Sequence, residues 1–463
     1  MLTPATSPAV SPGVTDAGFD ALREHEFSRL DRNHLVYLDY TGSALYADSQ
    51  LRSHYALLAD GVFGNPHSDH APSSASGSLI DAARVQTLRF LDADPDRYTV
   101  IFTANASAAV KLVGESYPFG QDSALLLASD NHNSVNGMRE YARRAGACVA
   151  YVPLDDELRL ASPEHSLSAV AENFGGPKLL AFPAQSNFSG VQHPATLIDD
   201  AQRLGFDVLV DAAAFAPSNR MSLRDHSPEF VALSFYKIFG YPTGVGALIV
   251  RRDALHKLRR PWFAGGTVEF ASVQNQMHRL KETAEGFEDG TPDFLNIAAL
   301  SAGFALMDDI GIDRAHDHVM RLTGLLLGGL QAPTHADGRP VVRVYGPRDL
   351  SARGGTIAFN VIARDGRPVP YSAVECRARN EGVAVRCGCF CNPGAAERAF
   401  EFDAKRSREC MQAAAATGFT IERFAACLGD QTAVGAVRAS LGIANNAGDV
   451  SRALALIESF ADE

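Results

Sequence analysis

The sequence predicts an α/β protein with a large domain built on a mainly parallel sheet and a smaller α+β domain after it. Three observations carry this reading. Apolar runs of strand length alternate with stretches of helical period between residues 98 and 260, the pattern of parallel strands joined by crossover helices. A Gly-rich and then Glu-rich segment, 264–291, interrupts the alternation. Beyond it a helical period returns over 294–329, followed by shorter strand-like pieces. At roughly 150 residues per domain, a length of 463 residues is enough for two or three lobes, each with its own core.

Taken in order, residues 1–18 are rich in Pro, Ser, Thr and Ala and lack the basic start and apolar stretch of a secretory signal, so a disordered leader is expected there. Residues 98–102, 124–128, 148–152, 178–182 and 207–210 read as strands, since short, almost wholly apolar runs suit a sheet covered on both faces. Between them 106–116, 135–144, 164–173 and 195–204 read as helices, and 230–234 and 246–250 add two strands. These elements place the large domain at 19–290, with residues 19–35 free to pack with the small domain. The small domain covers 291–463, with strands near 341–345, 356–361 and 383–386. Residues 398–429 show no readable period, and no internal repeat is present.

Composition excludes several functions. Asp and Glu number 54 against 42 Lys and Arg, a net charge of -12, so the basic footprint of a nucleic-acid or anionic-membrane binder is missing. No apolar run approaches the roughly 20 residues that span a bilayer. Of seven cysteines, three crowd into Cys387, Cys389 and Cys391 instead of spreading as a framework of bridges, which favours a reducing compartment and hence the cytoplasm. Their spacing also lacks the paired arrangement of structural zinc, and no metal site is expected.

Only six lysines are present, at positions 111, 178, 237, 257, 281 and 405, which shortens the search for one that forms an imine. Lys237 stands apart, because it follows an apolar strand and precedes Gly240, Pro242, Gly244 and Gly246, at the sheet edge where ligands of open α/β sheets collect. An amine desolvated there can have its pKa lowered enough to react with an aldehyde. The alternative is an ordinary solvated lysine. Asp211 closes the apolar strand before it, and a carboxylate there can hold a pyridine nitrogen protonated or simply cap the next turn. Together the two fit pyridoxal phosphate better than either does alone.

From this point the chain resembles a known family. The segment 234–249, Ser-Phe-Tyr-Lys-Ile-Phe-Gly-Tyr-Pro-Thr-Gly-Val-Gly-Ala-Leu-Ile, is similar to the lysine loop of class V pyridoxal phosphate enzymes of the cysteine desulfurase superfamily, above all the N-terminal domain of molybdenum cofactor sulfurases. Further matches follow in order: Tyr-Leu-Asp-Tyr at 37–40, Gly-Asn-Pro-His-Ser at 64–68, Phe-Thr-Ala-Asn-Ala-Ser at 102–107 and Asp-Asn-His-Asn-Ser-Val at 130–135. Phe-Pro-Ala-Gln-Ser-Asn-Phe-Ser-Gly at 182–190, Gly-Cys-Phe-Cys-Asn-Pro-Gly at 388–394 and Val-Arg-Ala-Ser-Leu-Gly at 437–442 complete the set. Ordered motifs over about residues 35–445 are far more specific than any one of them. The resemblance implies the fold of the aspartate aminotransferase-like pyridoxal phosphate transferases.

Position by position, the resemblance gives Lys237 the covalent link to the cofactor, Asp211 its ring nitrogen and His132 the stack on its ring, where the bland reading of His132 is a locally bonded helix neighbour. Asn187 would bond the phenolic oxygen, although its surroundings also read as a plain turn. Ser107 and Ser234 would bind the phosphate. Ser107 opens a helix, where unpaired amides favour an anion and where it could equally be a simple cap. Thr291 matches a position that reaches the phosphate of a neighbouring subunit, which implies a homodimer. Arg438 would grip a substrate carboxylate with its planar fork. Cys391 would take sulfur from the substrate as a persulfide, Cys389 reads as a small apolar filler, and Cys387 has no assigned role.

Two departures stand out: Ala214 replaces a glutamine near the ring, and Tyr236 replaces the histidine before the lysine. The chain also stops soon after Arg438, so the pterin-binding C-terminal domain of larger sulfurases is not expected. The implied activity is transfer of sulfur from L-cysteine through Cys391 to molybdenum cofactor or another acceptor. The alternatives are a pyridoxal phosphate lyase of specialised metabolism on the same scaffold and a catalytically silent sulfur carrier or scaffold protein.

Overall fold

The computed structural model describes residues 17–416, 418–429 and 431–461. Residues 1–16 of the expected leader lie outside that range, and Ala17 and Gly18 open a helix, Ala17–Glu26, so the leader does not extend to residue 18 as read.

Seven strands form the large sheet, in the spatial order Tyr98–Thr103, Gly246–Arg251, Phe230–Ser234, Phe206–Asp211, Lys178–Pro183, Ala124–Ala128, Cys148–Val152. Gly246–Arg251 alone runs antiparallel to its neighbours. The central strands are apolar over most of their length because both faces are covered. Side chains alternate along each strand: Leu126, Leu180, Val208 and Val231 enter one core, while Leu125, Leu179, Leu209 and Ala232 enter the other, with the helix Ala106–Ser116. Parallel strands end at one edge, and that edge gathers Asp211, Ser234 and the turns after Thr103, Ala128 and Pro183.

The second sheet is antiparallel, ordered Val342–Tyr345, Thr356–Val361, Ala436–Ser440, Arg386–Gly388. The helices Ile312–Gln331 and Ala447–Glu458 cover it through Val319, Leu322, Leu326, Leu456 and Ile457. Near the N-terminus Val36–Tyr37 pairs with Val383–Ala384, and Asp39 bridges to Ser440. The segment left free to join the small domain is held by Arg23, which is buried and bonds Asp449 at 2.7 Å, and by Phe19, stacked on His318 at 3.8 Å.

The division expected after residue 290 is not where the packing divides. The helix Phe294–Ile310 puts Ile297, Leu300, Phe304 and Met307 into a core of the large sheet. The chain turns at Gly311, with φ +79°, into Ile312–Gln331 across a 71° bend. The apolar side chains of Phe294–Ile310 are therefore a core-facing surface of the large sheet. Among the described residues no single helix is long and apolar enough to cross a membrane.

The unreadable stretch 398–429 contains the helices Ala404–Ala416 and Ile421–Leu428, joined by a Cys410–Cys427 disulfide. Reading the cysteines as unbridged missed this pair, because helical partners in an aperiodic segment give no spacing signal. Five cysteines are free.

The lysine-bearing turn rests on this core. The one-turn helix Phe235–Phe239 packs Phe235 and Phe239 against Phe304, with ring centroids 5.9 and 5.4 Å away. A Cβ at Gly303 would lie 2.3 Å from the Phe239 ring. Gly303→Ala is expected to cost about 1–3 kcal/mol through overpacking. Gly328→Ala, where a Cβ meets nothing within 4 Å, should be neutral or mildly stabilising. Thermal melting of the two variants checks the contrast.

Candidate active site

Lys237 sits in the turn after Phe230–Ser234, where Gly240 allows the chain to double back. Gly240 has φ +79°, and a Cβ there would lie 2.3 Å from the backbone of Leu45. The Tyr236 carbonyl accepts the Ala44 amide at 3.2 Å, which ties the turn to the N-terminal segment. Burial pushes the Lys237 pKa down; Asp211 and Asp39 oppose the shift, and Arg438 and Arg386 reinforce it. The amine is therefore biased toward its neutral, nucleophilic form.

His132 heads the short helix Asn133–Asn136. Its Nδ1 accepts the Ser134 amide at 3.1 Å, which leaves the proton on Nε2. Burial lowers its pKa first and the Lys237 charge second, with Asp211 opposing, so the ring stays neutral near neutral pH. The local bonding foreseen as its bland reading is present, and so is the proximity to Lys237 and Asp211. Asp211 Oδ1 accepts the Ala213 amide at 3.0 Å, a turn bond of the kind anticipated, while its carboxylate acts on both Lys237 and His132.

The turn after Tyr98–Thr103 meets the lysine strand through Ser234, whose hydroxyl accepts the Ala106 amide at 2.8 Å. Gly246 is required here, because a Cβ would lie 2.5 Å from the Asn105 backbone. Asn105, not Ser107, caps the helix Ala106–Ser116: its Oδ1 accepts the Ala108 amide at 3.0 Å. Ser107 is thus released from the capping role, and its hydroxyl meets Ser134 Oγ, which in turn meets His132 Nδ1. Ser134 lies inside a quoted motif and was not singled out.

Asn187 is placed differently from expectation. Its Nδ2 donates to the Phe390 carbonyl at 2.7 Å, and its Oδ1 accepts from Asn392 at 2.9 Å, so the amide holds the cysteine loop. Asn392, fully buried, also donates to the Asp130 carbonyl at 2.6 Å, and the Asn133 amide donates to the Cys391 carbonyl at 2.7 Å. These clamps hold Phe390 and Cys391 at φ +54° and +55°, a left-handed geometry that non-glycine residues adopt only under such restraint.

The three cysteines are not equivalent. Cys391 is exposed. Burial pushes the Cys387 thiol up to about 12 and the Cys389 thiol up to about 11, and their sulfurs donate to the carbonyls of Tyr371 and Val434. The filler role read for Cys389 agrees with its half-buried place against Phe390 and Ala436.

Arg438 is 2% exposed, and burial pulls its pKa down to about 10 against the pull of Asp39. It lies over the Phe390 ring at 4.9 Å, donates to the Asn187 carbonyl at 2.9 Å, and pairs with Asp39 at 2.9 Å. Asp39 and its second partner, Arg386, escaped the sequence reading, although Asp39 stands in a quoted motif. Thr291 is not drawn into the group: it is exposed and bonded by Asn65 at 3.3 Å. Ala214 lines a small cavity together with Lys237 and Gln185, so a glutamine still stands on that wall from another strand end.

The sequence pattern of the aminotransferase class-V family matches residues 36–453. An Arabidopsis thaliana molybdenum cofactor sulfurase is 36% identical over 430 residues, covering 85% of this chain and 52% of that protein. The Bos taurus molybdenum cofactor sulfurase is 35% identical over 458 residues, 94% of this chain and 51% of its own. The chain thus spans about half the length of these relatives. A Thermococcus onnurineus cysteine desulfurase shares the fold with a TM-score of 0.77 and 24% identity, covering 95% of this chain and 97% of its own. The Escherichia coli cysteine desulfurase CsdA does so at 0.74 and 21%, covering 95% and 98%. With a family match from the first small strand to the last helix, the chain belongs to the class-V aminotransferase family.

Proposed function

We propose that this chain is a pyridoxal phosphate enzyme that moves sulfur from L-cysteine onto Cys391 and passes it to an acceptor, with molybdenum cofactor the acceptor suggested by the names of its relatives. The observation that carries the proposal is Cys391 itself, exposed on a clamped loop beside Arg438, whose guanidinium bonds the same Asn187 that holds the loop.

The residues present fit the cofactor. The Ser234 and Ser107 hydroxyls stand at the N-terminus of the eleven-residue helix Ala106–Ser116, a site suited to a phosphate. Asp211 offers a carboxylate for a ring nitrogen, His132 a neutral ring for stacking, and Lys237 an amine that burial biases toward its free form. Asn187 is committed to the loop and is left out of this set. When bound, pyridoxal phosphate supplies an aldehyde for amines and a ring that withdraws electrons from the amino acid.

The chain's own contribution is positional and protonic. Arg438 orients the substrate carboxylate, and Lys237, as a free amine, takes the α-proton and returns it to carbon. Cys391 as thiolate receives sulfur: the substrate carbon–sulfur bond breaks, a sulfur–sulfur bond to Cys391 forms, and L-cysteine plus the thiol become alanine plus a persulfide. Cys387 and Cys389 do not compete, because burial keeps them protonated.

The same reading includes a homodimer. Exposed apolar side chains cluster on the helix Asp48–Asp60, with Tyr55 75% exposed, and around the hairpin Val268–Leu280, where Val273 is 95% exposed; both support a partner surface near Thr291. A cytoplasmic setting rests on the five free thiols, with the Cys410–Cys427 bridge weighing the other way.

Lys237→Ala is expected to lose all borohydride-trapped pyridoxyl label while melting within a few degrees of the parent; retained label elsewhere would move the anchor to another lysine. Cys391→Ser should keep the cofactor yet lose alanine formation from L-cysteine by on the order of 10³-fold or more, whereas Arg438→Ala should raise KM. A lyase that expels its leaving group without a thiol would keep its turnover in Cys391→Ser, and a silent scaffold would bind no cofactor at all. Sedimentation should give a dimer in the cofactor-loaded state; a loaded monomer at working concentration refutes that part.

A further inference from the structure

Arg438 stands directly opposite Arg386 on the neighbouring antiparallel strand, so the two guanidiniums leave one face of the sheet side by side. Asp39 lies against both. Its Oδ1 takes Nη2 of Arg438 at 2.9 Å, and its two oxygens take Nε of Arg386 at 3.0 Å each and Nη2 of Arg386 at 2.6 Å. The backbone leaves room for this contact: a Cβ at Gly42 would lie 2.6 Å from the Asp39 carboxylate and 2.7 Å from Arg386 Nη2.

The charges do not cancel, since two guanidiniums face one carboxylate. Arg438 is buried and its Nε has no partner, while Arg386 is half-exposed, with 48% of its side chain in solvent. A buried guanidinium without a counter-ion is strongly disfavoured, so Arg438 needs Asp39 when no substrate is present. The cluster reaches neutrality with one further carboxylate. Asp39 makes one of its contacts to Arg438 and the rest to Arg386, in a bidentate grip that survives loss of the first.

We propose that Asp39 is an exchangeable internal carboxylate: in the empty site it occupies the place on Arg438 that a substrate carboxylate takes, and on binding it is held by Arg386 alone. Arg386 is then a positioning residue. The pair sets specificity for an amino acid that brings one carboxylate and rejects amines that bring none. This inference rests on the proposed role of Arg438 toward an amino-acid substrate.

The test uses the cofactor-loaded protein with L-alanine and ethylamine, which differ by the carboxylate and lack transferable sulfur; binding is followed by the visible absorbance of the cofactor. The parent should bind alanine more tightly than ethylamine. In Arg386→Gln, Asp39 has only Arg438 left and resists displacement, so alanine should weaken by roughly tenfold or more with ethylamine changed less than twofold. With L-cysteine the same variant should raise KM and spare kcat. In Asp39→Asn, alanine should tighten several-fold and added sulfate should compete for the vacated charge. Cofactor content and melting temperature report folding, and if Asp39→Asn does not fold, Arg386→Lys decides, with an intermediate loss expected for alanine alone. Alanine binding unchanged in the Arg386 variants, or weakened in Asp39→Asn, overturns the exchange; in the latter case Asp39 merely orients Arg438. A parent with no spectral response to either amine overturns the amino-acid reading of the site, and the exchange with it.

Discussion

The position of the Cys391 thiol depends on one buried amide, that of Asn392, which joins three pieces of chain that are distant in sequence. Its Nδ2 donates to the carbonyl of Asp130 and to Oδ1 of Asn187, and its Oδ1 accepts the Ala395 amide and so caps the helix Pro393–Ala399. Asp130 leads into His132, and Asn187 carries the carbonyl that receives Arg438. The helix it caps comes so close to the large domain that a Cβ at Gly394 would lie 2.0 Å from the Ser129 carbonyl. A single side chain therefore ties together the cysteine loop, the segment that leads into His132 and the segment that bonds Arg438. The left-handed pair Phe390 and Cys391 is tolerated because these contacts over-determine it.

Around that frame the site concentrates positive groups with few counter-ions. Lys237, Arg438 and Arg386 face Asp211 and Asp39, and every one of them acts on Lys237. Burial removes the solvent that would stabilise the ammonium, so the lysine is pushed toward the free amine that imine chemistry needs. The same field surrounds Cys391, whose sulfur lies within electrostatic reach of Arg438 and Arg386. Cys387 and Cys389, four and two residues earlier, face carbonyls and apolar side chains and stay protonated. Which of three adjacent cysteines can react is decided by the direction each takes from a strand end.

Much of the fold was legible in local sequence. The runs at 124–128 and 356–361 coincide with observed strands, and the helix read at 106–116 is the one formed, since uniform apolarity and a clear helical period are local properties. The helix read at 135–144 breaks at Gly137 into two. The segment 264–291, read only as an interruption, holds a hairpin, Val268–Ser272 with Met277–Leu280, whose exposed apolar residues have no alternation to mark them. Phe294–Ile310 has a period, but its partner sheet is set by packing, which is why the boundary at 290 misplaced it. In the site, Lys237, His132, Asp211, Ser107, Ser234, Cys391 and Arg438 could be named from motifs, while Asp39 and Arg386 could not be paired, because 347 residues separate them in the chain.

Taken alone, the sequence determined the alternation of strands and helices, the lysine at a strand end, the acidic net charge and the ordered motifs, all of which are read from neighbours a few residues away. Tertiary structure alone decided that Asn187 serves the cysteine loop, that Cys410 and Cys427 meet, and that Asp39 stands between two arginines. The reason is physical: a buried amide, thiol or charge takes whatever partner the fold brings within about 3 Å, and for Asn187, Asp39 and the arginines that partner is set by the register and packing of elements hundreds of residues apart.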